Sequence, residues 1–455
     1  MRVVLVLAAA FAVATSASAQ ARQSPGEHGP ALDRPVPAHL TLQEAISRAI
    51  ETSHILAELR AREGAAAAVL DERKASDMPS LSAQAGYRRT NHVEEFSVPQ
   101  PNPPRIEVIY PDVPDNWRTR LDLAWPIYTG GRTGALEHAA DAERLATGKD
   151  LESARADLVL ETTRAFWALV TATESVRVVG ESITRIEAQH RDVKTRFDTG
   201  FLPPNDVLTV ATRVSQQRTL LLDTQNQRDS ARAVLARLIG ARVDADFEPE
   251  ATLAEGAMPI PATEQIVNLA AQARSARADR QALLFRVQGA DARIDAAKSG
   301  NRPSVNIGAG YDYARPNPAI FPRQDIWHTS WDAGINVSWT LWNGGRTGAE
   351  VAEAKQQAAA TRERLAEFDS QIALEVRQRQ LDLTTAEAQV RTAGEAVGTA
   401  MEARRVVQER VSAGVATTTD LLDAQQDQLE AELQRTRALA NVKLAEARLT
   451  RALGR

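Results

Sequence analysis

The chain has 455 residues, 43% hydrophobic and 25% charged, with a formal net charge of −5. Mild acidity gives no support for nucleic-acid binding. There is no cysteine, which excludes disulfides, thiolate metal sites and a lipid-modified N-terminal cysteine.

Arg2 precedes an apolar run from Val3 to Ala14, and Ala17-Ser18-Ala19 follows as a small-residue cleavage site. Residues 1–19 read as a secretory signal peptide, because the apolar run is too short to span a bilayer. A Pro-rich lead occupies 20–38. Helix is expected next, with Leu42, Ala45, Ile46, Ala49 and Ile50 on one face, continuing Ala-rich to about Ala75.

The period then changes to two. Apolar and polar residues alternate in four segments, predicting strands at about 80–97, 116–128, 304–314 and 327–342. Seven tryptophans and five tyrosines occur, and only Trp167 lies outside the two strand regions. Tyr87, Trp117, Trp125, Tyr128, Tyr311, Tyr313, Trp327, Trp331, Trp339 and Trp342 therefore read as aromatic residues at membrane interfaces on lipid-facing strands. The strand pairs enclose Pro-rich polar loops, Arg89 to Asn116 and Ala314 to Ile326, expected to face the cell exterior.

Long helices follow each strand pair, at 131–199 and 345–412, with return helices at 206–239 and 419–453. Val176, Val179, Ile183, Ile186, His190, Val193 and Phe197 step by three and four, as do Val390, Ala393, Val397, Ala400, Arg404, Val407 and Val411. That spacing is a coiled-coil seam. A helix from Gly131 to Thr199 would be about 100 Å long and is too charged for lipid, so it must cross an aqueous space. The whole chain is a tandem repeat: Trp125, Gly200, Asp206 and Leu208 recur as Trp339, Gly414, Asp420 and Leu422, each 214 positions later. Repeat one covers 39–239, repeat two 263–455, and 240–262 is a linker. The constant offset suits continuous helix, where one inserted residue rotates every later side chain by about 100°.

Four strands cannot close a barrel, and an open sheet edge cannot sit in lipid. Two chains would give eight strands with a filled interior; three give twelve, which can leave a lumen. The fold class expected is a mixed α/β membrane protein, with four barrel strands per chain continued by very long coiled-coil helices.

The segments LTLQEAISRAI, PIYTGGR, LWNGGR, TGFLPPNDVL and AGVATTTDLLDA, together with the repeat, resemble the TolC family of outer-membrane efflux channels over nearly all of the mature chain. The resemblance implies a homotrimer with a twelve-stranded barrel and a twelve-helix periplasmic tunnel. It also implies a periplasmic adaptor protein and an inner-membrane pump or ABC-type secretion transporter as partners, in contact with outer-membrane lipid. No catalytic site, metal or cofactor is expected.

Asp420 and Asp423, three apart on one helix face, would form rings of carboxylates at the pore constriction, a place the family resemblance gives them; such rings prefer cations. Asp423 has no counterpart in repeat one, where Thr209 stands. Asp206, Gly200 and Gly414 read as helix-tip caps, and capping is also the plain alternative for Asp420. Phe201, Leu202 and Val415 are candidates for adaptor contact. Gly130, Gly131, Gly344 and Gly345 mark the strand–helix junctions. The family carries a basic and an aromatic residue that lock the second tip; here Ala416 and Val411 stand at those positions, so the lock is missing or built differently. A soluble periplasmic coiled-coil adaptor or scaffold would account for the helices but leave the four aromatic-rich strands unexplained.

Overall fold

The computed structural model describes residues 36–253 and 265–455. The expected signal peptide, most of the Pro-rich lead and linker residues 254–262 lie outside the described residues. In chain order the elements are β1 (His39–Leu40), α1 (Leu42–Thr52), α2 (His54–Ala75), β2 (Ser80–Arg89), β3 (Phe96–Pro101), β4 (Pro104–Tyr110), β5 (Asp115–Tyr128), α3 (Arg132–Asp198), α4 (Pro204–Leu238), β6 (Glu248–Pro249), α5 (Gln265–Ala276), α6 (Ala278–Lys298), β7 (Ser304–Arg315), β8 (His328–Ser338), α7 (Arg346–Ser412) and α8 (Thr418–Ala452). Helices α3 and α7 are 67 residues each, and α4 and α8 are 35 each. The repeat is therefore kept at both ends of both helical hairpins. No described helix is long and apolar enough to cross a membrane.

Three segments depart from the sequence expectation; in one, the strand expected to run to 342 ends at Ser338, so Trp339 and Trp342 lie beyond it. The first helix breaks at Ser53 into α1 and α2. Its start is fixed by a capping box, in which the Glu44 amide donates to Thr41 Oγ1 and the Thr41 amide donates back to Glu44 Oε2. The strand expected at 80–97 ends at Arg89, and the loop beyond it is not structureless. It holds the antiparallel hairpin β3–β4.

The described residues form two compact units. One draws on residues 36–54, 156–253 and 378–451, the other on 55–155, 265–377 and 452–455. The second unit contains a four-stranded sheet in the order β2-β5-β7-β8, all antiparallel. Its apolar face is open in the protomer: Leu81 is 71% exposed, Trp331 78% and Ile335 70%. Its other face carries Arg118, Arg120, Asp122, Asp312 and Asp332, bound to one another by ion pairs. A soluble sheet would turn the first face inward; exposure of the apolar face is what a lipid-facing wall requires.

The other unit contains the helix tips. Ile186 and Val193 of α3 are buried against Val210 and Val214 of α4 and Leu422 of α8. One turn further, Val178, Val179 and Ile183 pack on Leu429. Of these, Val179, Ile183, Ile186 and Val193 are the seam residues of α3, buried as one stripe. The β1–β6 pair, parallel, ties the N-terminal entry to the segment after α4.

Candidate conduit: helix tips and barrel wall

The tips are built alike. Gly200 follows α3 at φ +81° and Gly414 follows α7 at φ +76°. The Gly200 amide donates to Phe197 O and the Phe201 amide to Arg196 O; Gly414 and Val415 repeat this with Val411 and Arg410. Both are Schellman caps, which need a left-handed residue after the helix. Leu202 packs onto the buried tip cluster, so of the three adaptor candidates it is the one held inside. Phe201 and Val415 stand free, at 83% and 64% exposure.

The carboxylates at the tips differ. Asp420 is engaged in a cap: its Oδ2 accepts from the Thr417 amide at 2.8 Å, and its own amide donates to Thr417 Oγ1 at 3.1 Å. These bonds from the backbone and the hydroxyl hold its carboxyl below the usual carboxylate range. Asp206 makes no such bond. The cap position of α4 is Pro203, with no side-chain capping hydrogen bond. The assignment of Asp206 as a cap is thus corrected: Pro204 brings no N–H to be satisfied at the first helical position, leaving Asp206 only its charge in the first turn.

Asp423 points away from its own helix start. Its Oδ1 lies 3.4 Å from Arg213 Nη2 on α4. One turn along, Gln217 Nε2 donates to Gln426 Oε1 at 2.9 Å. A charged contact and a polar one thus join the hairpin of repeat one to that of repeat two. Sequence reasoning missed Arg213, which is remote in the chain from Asp423.

In the sheet, glycine pairs form both junctions, Gly130 and Gly131 at φ +68° and +84°, Gly344 and Gly345 at +69° and +85°. A side chain at Gly130 would meet Arg302 and the Ser299 carbonyl at 3.0 Å. The aromatics fall in two girdles. Near the helices, Trp125 Nε1 donates to Asp77 O and Trp339 Nε1 to Asn301 O, each at 3.1 Å, with Tyr128 and Trp342 exposed beside them. At the loop end, Tyr87 lies 4.4 Å from Trp117, and Tyr313 stacks 4.7 Å from Trp327. Tyr311 and Trp331 are paired across β7 and β8 between the girdles.

A wall apolar outside and charged inside, with two free sheet edges and long amphipathic helices, defines an oligomeric outer-membrane channel. The chain belongs to the outer membrane efflux protein family, which it matches over residues 45–241 and 269–455. It is 25% identical to Protein CyaE of Bordetella pertussis over 469 aligned positions, 96% of this chain and 93% of that one. Its fold resembles the outer membrane protein VceC of Vibrio cholerae (TM-score 0.76, 20% identity, covering 91% of this chain and 96% of that one). CusC is similar (TM-score 0.77, 16% identity, 91% and 92%). The protein is an outer-membrane efflux channel of a Gram-negative bacterium, with strands for a barrel wall and long periplasmic helices.

Proposed function

We propose that this channel is the exit duct served by a periplasmic adaptor and an inner-membrane pump or secretion transporter, and that it is held shut at the helix tips by Arg213 and Asp423. The Arg213–Asp423 contact carries the reading. It joins the two hairpins of one protomer close to the turns, where Ala416 and Val411 leave the second tip without its own polar tie. In the trimer Asp423 contributes three carboxylates to the mouth, which favours cations. Asp420 acts first as a cap, adding charge to the same ring. Phe201 and Val415, apolar and exposed at the turns, are the surface offered to the adaptor.

Planar-bilayer conductance of the trimer tests this. Arg213→Ala should raise open probability with cation preference kept, and Asp423→Ala should raise it while weakening that preference. Two variants behaving as wild type in both respects would remove the gate from this contact. Phe201→Ser with Val415→Ser should weaken capture of the adaptor without changing conductance.

A further inference from the structure

The polar face of the sheet is not evenly charged. Toward β7 and β8 its acids are already matched. Arg118 Nη2 lies 2.9 Å from Asp312 Oδ2, and Arg120 reaches Asp312, Asp122 and Asp332 together. Arg120 crosses β7 at Gly310, where a side chain would collide with its guanidinium. Toward β2 and the loop end the acids stop and the cations continue. Gln84, Gly86 and Arg88 of β2 stand opposite Arg120, Arg118 and Asn116 of β5.

These residues floor a cleft of about 420 Å³, and Pro316, Pro318 and Arg323 from the segment between β7 and β8 complete it. That segment is anchored. Asn317, 1% exposed, donates from Nδ2 to His328 O and to Ser330 Oγ, both at 3.0 Å. The Arg323 guanidinium is aimed by the Tyr110 hydroxyl and Asn116 Oδ1, which accept from it at 2.6 Å. The cleft is therefore formed before any ligand arrives.

Four guanidiniums line it, from Arg88, Arg118, Arg120 and Arg323, and no carboxylate does. Arg118 and Arg120 share Asp312. Arg323 donates only to neutral oxygens. Arg88 and the Gln84 amide have no side-chain partner among the described residues. Gly86 leaves the floor open, since a Cβ there would meet nothing within 4 Å. A cleft of one sign, set against a wall whose other face is apolar, concentrates its field. Guanidinium forks match the oxygens of phosphate and carboxylate.

We infer that this cleft binds an oxyanion, the phosphate or carboxylate group of a soluble molecule in the lumen. Arg88 and Arg323 supply the unmatched charge, and Gly86 supplies the room. Lipid phosphate is the wrong source, because lipid meets the opposite, apolar face of the sheet. Every group named comes from one chain, so the site is complete in a protomer. It rests on the polar face lining the lumen and not on the gate at the helix tips.

Inorganic pyrophosphate, titrated calorimetrically into the intact detergent-extracted channel at low salt, tests the site. Wild type should bind one pyrophosphate per chain, more weakly as salt is added. Arg88→Gln should weaken binding about tenfold, the loss of one charge-assisted contact. Gly86→Leu should abolish it by filling the cleft while every guanidinium stays in place. Arg89→Gln is the control. Arg89 alternates to the other face of β2, 3.4 Å from Asp115, and its loss should leave the affinity unchanged. No saturable binding by wild type, wild-type affinity in Gly86→Leu, or equal weakening by Arg88→Gln and Arg89→Gln would each overturn the site. Binding is read whether the channel is open or shut, so failure of the tip gate alone leaves this result standing.

Discussion

The two tip carboxylates share a helix and a residue type but are held by different groups. Asp420 is tied to the backbone of its own helix start, Asp423 to a guanidinium on the other hairpin. Their responses to pH and mutation should differ accordingly. The bonds from Thr417 lower the Asp420 carboxyl pKa in the folded state. A lowered folded pKa stabilises the structure above the unfolded value and loses that stabilisation as pH falls through the folded one. The second tip should stay protected at pH 6 and loosen only below about pH 4. Hydrogen exchange of the peptide 413–422, corrected for intrinsic rates, should show this, with Asp420→Ala loose at both values. Equal protection of wild type and variant throughout would argue against the cap. The Arg213 contact responds to charge instead. Asp423 is 64% exposed and Arg213 29%, so each pair is worth about 0.2–1 kcal/mol, reduced by salt. Exchanging the charges, Arg213→Asp with Asp423→Arg, should restore the closed state that either single change loses. Open probability of the double variant measures it; failure of rescue would mean the contact is incidental.

At the scale of elements, the helical hairpins were legible because three signals agree in them. Those signals are the heptad stripe, the glycine stops and the constant offset between copies. Gly414→Ala should cost about 1–2 kcal/mol, because a Cβ at φ +76° clashes with the following carbonyl. Truncating Leu422, 1% exposed in the tip cluster, should cost about 2–5 kcal/mol. Thermal unfolding of both variants checks the order, with Leu422→Ala the more damaged. What escaped the sequence has physical reasons. The hairpin β3–β4 was hidden by Pro99, Pro101, Pro103 and Pro104, which argue against strands but are tolerated in a two-stranded ribbon with free edges. The break at Ser53 lacks glycine and proline on either side. The Asp420 cap was readable, since Thr417 and Asp420 stand three apart in the pattern of a capping box. The Arg213 contact was not, because a pairing between distant segments leaves no local mark.

At the scale of the whole molecule, the two copies of the seam have different fates. In α3, Val179, Ile183, Ile186 and Val193 are buried within the protomer. In α7, no residue from 387 to 412 is buried, although the spacing of Val390, Val397, Val407 and Val411 is the same. An apolar stripe repeated in sequence but left half-open in the protomer is one that a neighbour must cover. The same logic holds at the sheet, where β2 and β8 are unpaired edges that lipid does not tolerate. Assembly thus closes the wall and the tunnel together, and damage to either should undo both. Val407→Asp places an unpaired charge in the inter-protomer seam, at a cost of several kcal/mol per contact. The variant should lose the trimer on native gels and with it all channel activity, while the equivalent exposed change Gln408→Asp leaves both intact. A trimer that survives Val407→Asp with normal conductance would show that the second seam faces the lumen rather than a neighbouring chain.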